Sequence, residues 1–143
     1  MPTVSTTLKM HPAITARIRQ DPFANWLGAT IETVEPGYAR VSLTVTEAML
    51  NFHAMTHGGL VFALGDIAFA AASNARGQTA LALNVAISFL RPTGTGDQLV
   101  AEAREVHQGG ATALYDIVVT ERTGQQLIAK SQATVYRKKE SFG

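Results

Sequence analysis

The stretch His57-Gly58-Gly59-Leu60-Val61-Phe62-Ala63-Leu64-Gly65-Asp66-Ile67-Ala68-Phe69-Ala70-Ala71-Ala72-Ser73-Asn74 decides how the rest of the chain is arranged. Leu60, Val61, Phe62, Leu64, Ile67, Phe69 and the alanines leave no polar stripe at helical spacing, so the segment predicts a central helix wrapped by other structure on every side. Asp66 is the only Asp, Glu, Lys or Arg between Ala48 and Ala75. An unpaired carboxylate two turns into an apolar helix is expensive, so its placement calls for a hydrogen-bonded partner or a chemical task. Arg76-Gly77 stops the helix.

Downstream of the helix the period changes from helical to alternating. Ala80 to Arg91 puts Leu81, Leu83, Val85, Ile87 and Phe89 on one face and mainly Ala82, Asn84, Ala86 and Ser88 on the other. The small face is expected to lie against the helix. Strands are predicted over Leu99–Val106, Thr112–Thr120 and Gln126–Tyr136, with turns at Pro92–Asp97, Gln108-Gly109-Gly110 and Arg122-Thr123-Gly124. Upstream, Val41, Leu43 and Val45 alternate with polar residues, and Glu35-Pro36-Gly37 joins them to Gly28–Val34 as a hairpin. Glu47 to Met55 follows neither period and reads as a loop. Ile14 and Ile18 mark a short amphipathic helix in residues 10–20, which Phe23, Trp26 and Leu27 are expected to anchor.

The order is therefore a short helix, two strands, a long buried helix and about four antiparallel strands, an α+β architecture. With 143 residues and 46% hydrophobic content the chain reads as one domain over 1–143, with an N-terminal helical segment at 1–27 and a flexible tail at 138–143. Leu114 and Val118 lie opposite Tyr115, Ile117 and Val119, which makes that strand apolar on both sides and points to oligomerisation through the sheet. Twelve basic against eleven acidic residues give a net charge of +1, so no global field draws the chain to nucleic acid or a membrane surface. The absence of cysteine excludes disulfides, thiolate catalysis and Cys-ligated metals. The N-terminus lacks the pattern of a signal peptide and no apolar run approaches the roughly 20 residues of a membrane span, so a cytoplasmic protein is expected.

Met49-Leu50-Asn51, His57-Gly58-Gly59, Asp66 with Ala68-Phe69-Ala70 and Asn74, Phe89-Leu90-Arg91-Pro92 and Tyr115-Asp116-Ile117 occur together between about Phe23 and Tyr136. As a set they resemble the hotdog-fold acyl-CoA thioesterases, most closely the phenylacetate-pathway (PaaI) type. The resemblance implies a curved antiparallel sheet wrapped around the central helix and a homodimer that joins its sheets and shares active sites. It also implies a pairing of dimers into homotetramers, an acyl-CoA substrate, and no cofactor or metal. It implies that Asn51 orients the thioester or the attacking water beside Asp66. It further implies hydrolysis of phenylacetyl-CoA or a hydroxylated relative, against a broad medium-chain or aromatic acyl-CoA thioesterase, a non-catalytic acyl-CoA-binding module, or a hotdog dehydratase.

Thioester hydrolysis needs donors aimed at a developing oxyanion and a base or nucleophile for the carbonyl. Gly58 and Gly59 expose backbone N–H groups at a helix start, where the dipole favours negative charge. Gly59 is taken as the catalytic donor and Gly58 as a substrate contact, with His57 beside them. Asp66 supplies the carboxylate, as nucleophile or as general base, against the plainer reading of a buried acid satisfied across an interface. At 1.5 Å per residue Gly59 and Asp66 lie roughly 10 Å apart along the helix, so one thioester reaches both only if they come from different subunits. Phe52 and Phe62, with Trp26 and Phe69, are candidates for an acyl pocket, or else core. Arg91 and Arg137-Lys138-Lys139 are candidates for coenzyme A phosphates, or else solvated charges. His53 and His57 near one acid also raise a metal reading, which their loop spacing supports weakly. Related enzymes place a supporting Ser or Thr on the strand after the helix; Ala82 stands near that position here, with Asn84 and Ser88 nearby.

Overall fold

The computed structural model describes residues 11–142. The chain runs α1 (Pro12–Arg19), α2 (Pro22–Leu27), β1 (Thr30–Glu35), β2 (Tyr38–Thr44), a 3-10 turn (Glu47–Met49), α3 (Gly58–Asn74), β3 (Gln78–Phe89), β4 (Gln98–Gln108), β5 (Thr112–Glu121) and β6 (Leu127–Ser141). All six strands form one antiparallel sheet in the order β1-β2-β4-β5-β6-β3, against which α3 packs. Residues 1–10 of the expected N-terminal segment lie outside the described residues.

Helix α3 begins where His57, extended at φ −63° and ψ 135°, accepts a hydrogen bond from the Gly59 N–H. It ends where Asn74 reaches across to β3, accepting from the Ala80 N–H at 2.8 Å and donating to the Ala70 and Ala80 carbonyls. Gly77 then turns the chain at φ +88°, where a Cβ would fall 2.6 Å from Ile14 Cδ1. Leu60, Val61, Leu64, Ile67, Ala68, Phe69, Ala71 and Ala72 are buried. Burying a residue such as Leu64 or Phe69 contributes roughly 1.5–3 kcal/mol. Phe69 meets Tyr115 of β5 edge-on, with ring centres 5.4 Å apart.

The helix is not wrapped on every side. Gly59, Phe62, Asp66 and Ala70 recur at intervals of three and four and are all exposed, so one stripe of α3 faces outward from the single chain. Asp66 lies in the middle of it. Apart from Asp66 the residues of this stripe are small or apolar, so it does not stand out as a polar face in the sequence.

The small residues of the core lie mainly on β4 and β6, with Ala80 alone on β3. Ala101, Ala103, Ala129 and Ala133 are all buried, and Gly65 brings α3 so near β5 that a Cβ there would sit 3.3 Å from Ile117 Cγ2. On β3 the pairing with β6 slips between Ala82 and Asn84. A bulge adds one unpaired residue and reverses the faces beyond it. Ala80 is buried before the bulge, Val85 and Ile87 pack on the core after it, and Leu81 and Leu83 are left exposed. The expected small inward face of β3 is thus wrong from Asn84 onward: Val85 and Ile87 point in, while Ala86 and Ser88 line a groove with Asp116, Lys130 and Gln132.

Two further expectations change. The segment expected as a tail from residue 138 is strand up to Ser141, paired with Gln78, and Phe142 donates its N–H to the Gly77 carbonyl. Trp26 does not anchor α1 as expected: it is 79% exposed on α2 and stacks on Phe23, itself 48% exposed, while Ala24 carries the buried contact. At the far end of α3, Tyr115 donates to Glu105 at 2.9 Å and Arg76 bridges the same carboxylate at 2.7 Å.

Candidate active site

The segment before α3 is built around Asn51. Its side-chain Oδ1 accepts from the His53 N–H at 2.9 Å and the Met55 N–H at 3.2 Å, while its own N–H donates to the Met55 carbonyl at 2.7 Å. This Asx-type turn holds Ala54 at φ +59°, a conformation that residues with a Cβ rarely adopt. The loop is tied to the segment after β3 by the Thr93 hydroxyl on the Thr56 hydroxyl at 2.7 Å and by the Thr56 N–H on the Thr93 carbonyl. Between the two segments lies a cavity of about 290 Å³ lined by Asn51, Thr56, Gly58, Phe89, Arg91 and Thr93.

The two glycines are not equivalent there. The Gly59 N–H donates to His57 Nδ1 at 2.9 Å, whereas the Gly58 N–H, at the first helical position, has no partner among the described residues. Gly58 is also the one that lines the cavity; Gly59 lines a neighbouring hollow with His57, Leu50 and Phe23. The Phe89 ring lies over Gly58, within 3.4 Å of where a Cβ would stand. Burial and the nearby charge of Asp21 together hold the Asp66 carboxyl above the usual aspartate range, although its tip is open in the single chain. Asp66 is not among the residues lining the Gly58 cavity. At 1.5 Å per residue it stands roughly 12 Å further along α3.

The other sequence candidates divide. Arg91 lines the cavity, and its guanidinium has no partner among the described residues. Phe62 stands on the open stripe one turn before Asp66. Phe52 is 92% exposed at the loop tip against the His53 ring and does not line the cavity. Phe69 is core. Arg137 is turned into the fold, 7% exposed, donating to the Gly109 and Gly110 carbonyls, so it is not a surface cation for phosphate. His57 is occupied as the helix cap, and among the described residues no three His, Cys, Asp or Glu side chains are grouped to hold a metal ion. Phe89 entered the sequence reading only as part of the Phe89-Leu90-Arg91-Pro92 motif, and the Thr56–Thr93 pair did not enter it; both contacts depend on how two loops fold together and leave no signal in spacing.

The sequence model of the thioesterase superfamily matches residues 53–128, which include His57-Gly58-Gly59, Asp66 and Arg91. The chain belongs to the thioesterase superfamily. This thioesterase is 45% identical over 104 residues to the acyl-coenzyme A thioesterase PaaI of Escherichia coli, covering 73% of this chain and 74% of that one. It is 40% identical over 124 residues to a putative esterase of Archaeoglobus fulgidus, covering 87% and 80%. The solved structure of the E. coli PaaI protein from the phenylacetic acid degradation operon superposes with a TM-score of 0.85 at 39% identity, covering 90% of this chain and 93% of that one. The fold is the hotdog fold, and the chain is a thioester hydrolase of PaaI-like sequence. No helix among the described residues is long and apolar enough to cross a membrane.

Proposed function

We propose that this thioesterase hydrolyses acyl-CoA, with phenylacetyl-CoA or a hydroxylated relative as the favoured substrate, to the free acid and coenzyme A. The reaction is cytoplasmic, needs no cofactor beyond the coenzyme A carried by the substrate, and takes place in a homodimer that pairs further into a tetramer. The observation that carries the reading is the unpartnered Gly58 N–H, opening with Asn51 and Arg91 into one cavity while Asp66 stands outside it on the open stripe of α3.

In this reading the thioester oxygen accepts the Gly58 N–H, where the helix start favours the charge that develops on attack. Asp66 of the opposite subunit supplies the carboxylate. Acting as base, it takes the proton of a water whose oxygen adds to the carbonyl carbon. The C–S bond then breaks, the sulfur leaves as thiolate, and that proton passes to it. Attack by the carboxylate itself would form a mixed anhydride, which water then opens. The Asn51 amide nitrogen, which has no partner among the described residues, is free to hold the water or the thioester. Arg91 holds a coenzyme A phosphate. β3 joins the two sheets, since of the two edge strands β1 carries Glu32 and Glu35 whereas β3 carries neither charge nor proline over Gln78–Phe89.

The test is release of free thiol from a panel of acyl-CoAs by wild type, Asp66→Asn and Gly58→Pro. Proline suits the first position of a helix and deletes the N–H in question, and Gly58→Ala, which keeps the N–H but adds a Cβ against Phe89, separates loss of the donor from loss of space. Asp66→Asn and Gly58→Pro should each lose at least about a hundredfold in kcat. Co-expressed together they should recover roughly a quarter of wild-type activity, because half the dimers carry one intact shared site. Tight binding of acyl-CoA without turnover by the wild type would make the fold a binding module, and absence of recovery would place both groups in one subunit.

A further inference from the structure

A second cavity, of about 310 Å³, lies on the Asp66 side of α3 and away from Gly58. Its floor is Ile67, Ala70 and Ala71 of α3 with Ile18 of α1 and Ile31 of β1. It follows the helix from the turn beside Asp66 to Asn74, roughly 10 Å at 1.5 Å per residue. The near end carries Asp21, whose charge acts on the Asp66 carboxyl, so the two acids are neighbours. The far end is closed by Asn74, fixed between Ala70 and Ala80, and by Phe142. Phe142 is held there by its N–H on the Gly77 carbonyl and by the Arg17 guanidinium, which donates to its carbonyl at 3.1 Å and lies 5.7 Å from its ring centre.

We propose that this cavity receives the acyl group of the substrate, so that Ala70 sets its width and Phe142 its length. The inference rests on the thioesterase reading above and adds to it the part of the molecule that chooses the acyl chain. Apolar side chains make its floor while Arg17, Asp21, Asn74 and Thr79 stand around it, the volume is at the lower end of small-molecule pockets (about 300 Å³), and Ile67 and Ala70 place it along α3 next to Asp66, the carboxylate that the reaction uses. An uncharged acyl group fits: its carbonyl stays at Asp66 while its tail runs along α3 toward Phe142. A second carboxylate on the acyl group would meet Asp21 and Asp66 at the entrance and be repelled. Ala70 is on the open stripe of the helix, so a larger side chain there fills the cavity without displacing core.

The experiment measures kcat/KM for straight-chain acyl-CoAs from acetyl to decanoyl and for phenylacetyl-CoA, with wild type, Ala70→Leu and Phe142→Ala. Ala70→Leu should lower the ratio of phenylacetyl to acetyl turnover by about tenfold or more, the scale on which pockets discriminate single methylenes. Phe142→Ala should move the preferred chain length upward, and it stays informative if the leucine variant fails to fold. Active variants that both keep the wild-type ratios across the panel would overturn the assignment and leave the thioesterase reading standing. A wild type that turns over none of these thioesters would overturn both.

Discussion

The His57 imidazole accepts the Gly59 backbone N–H at 2.9 Å, so the histidine of His-Gly-Gly closes the helix and leaves the preceding glycine as the open donor. Its first use is structural. His57→Ala should cost about 1 kcal/mol, as loss of an N-cap does, and lower the melting temperature by a few degrees. His57→Ser restores an acceptor at the same position and should restore the melting temperature. If capping is the whole role of His57, the serine variant also regains kcat; a stable but slow serine variant would put the imidazole in the chemistry.

Asp66 should make the acidic limb of activity rise later than an ordinary aspartate would. The carboxyl is held above its usual value by burial and then by Asp21, and hydrolysis needs it ionised. Activity therefore falls as pH drops through that raised value, which a kcat/KM profile above the usual pKa of about 3.9 would read. Stability runs the other way: the folded state binds the proton more tightly than the unfolded one, so stability declines as pH rises from about 3.9 through the raised value. Asp66→Asn should consequently melt no lower than wild type at neutral pH, with any gain vanishing below pH about 4. A marked loss of stability at pH 7 would mean that the carboxylate has a structural partner.

Glu105 joins Arg76 to the buried Tyr115 hydroxyl. Burial opposes its ionisation, but the hydrogen bonds from Arg76 and Tyr115 and the Arg76 charge prevail and hold its pKa below the usual glutamate range. The stability from this group is present above the unfolded value and is lost as pH falls through the lowered folded one. Glu105→Ala should destabilise by about 2 kcal/mol, since it strands a buried hydroxyl and a guanidinium together, and chemical denaturation at neutral pH would measure it. Glu105→Gln keeps an oxygen for Tyr115 and should cost less.

The edge strand offers a separate test of assembly. Leu83 is 61% exposed on β3, whose outer edge has no strand beside it among the described residues. Leu83→Lys puts a charge on that edge and should shift sedimentation toward the monomer, with kcat falling in step if the site is shared. A variant that stays assembled and active would remove β3 from the interface.

The residues that made the fold legible were those with a strict period: Leu64, Ala68 and Ala72 along α3, and Val41 and Leu43 along β2, sit in the core as their spacing requires. The bulge on β3 was not legible, because Leu81, Leu83, Val85, Ile87 and Phe89 keep their alternation in sequence while the backbone changes face between Ala82 and Asn84. Arg137 shows a related limit: a basic run looks solvated, yet alternation along β6 turns every second residue inward. At the candidate site, Asn51, Gly58, Asp66 and Arg91 were legible as candidates, and all but Asp66 line one cavity. The division of work between the two glycines was not, since it depends on which N–H the imidazole reaches. The open stripe of α3 was hidden because Gly59 and Ala70 read as core spacers whether they face a sheet or the outside.

The bulge also sets how the gene can change. Substitutions along β3 alter one side chain each, and deletion of the bulged residue Leu83 would close the bulge with Ala82 still opposite Val135 and Asn84 still opposite Thr134, so every remaining side chain would keep its face. Deletion of one residue in the regular stretch beyond, such as Ala86, would instead carry one flank to the opposite face. A one-codon deletion at the bulge is therefore milder than one in the regular stretch Val85–Phe89, and lineages of this enzyme should vary in length at the bulge while keeping the length of that stretch.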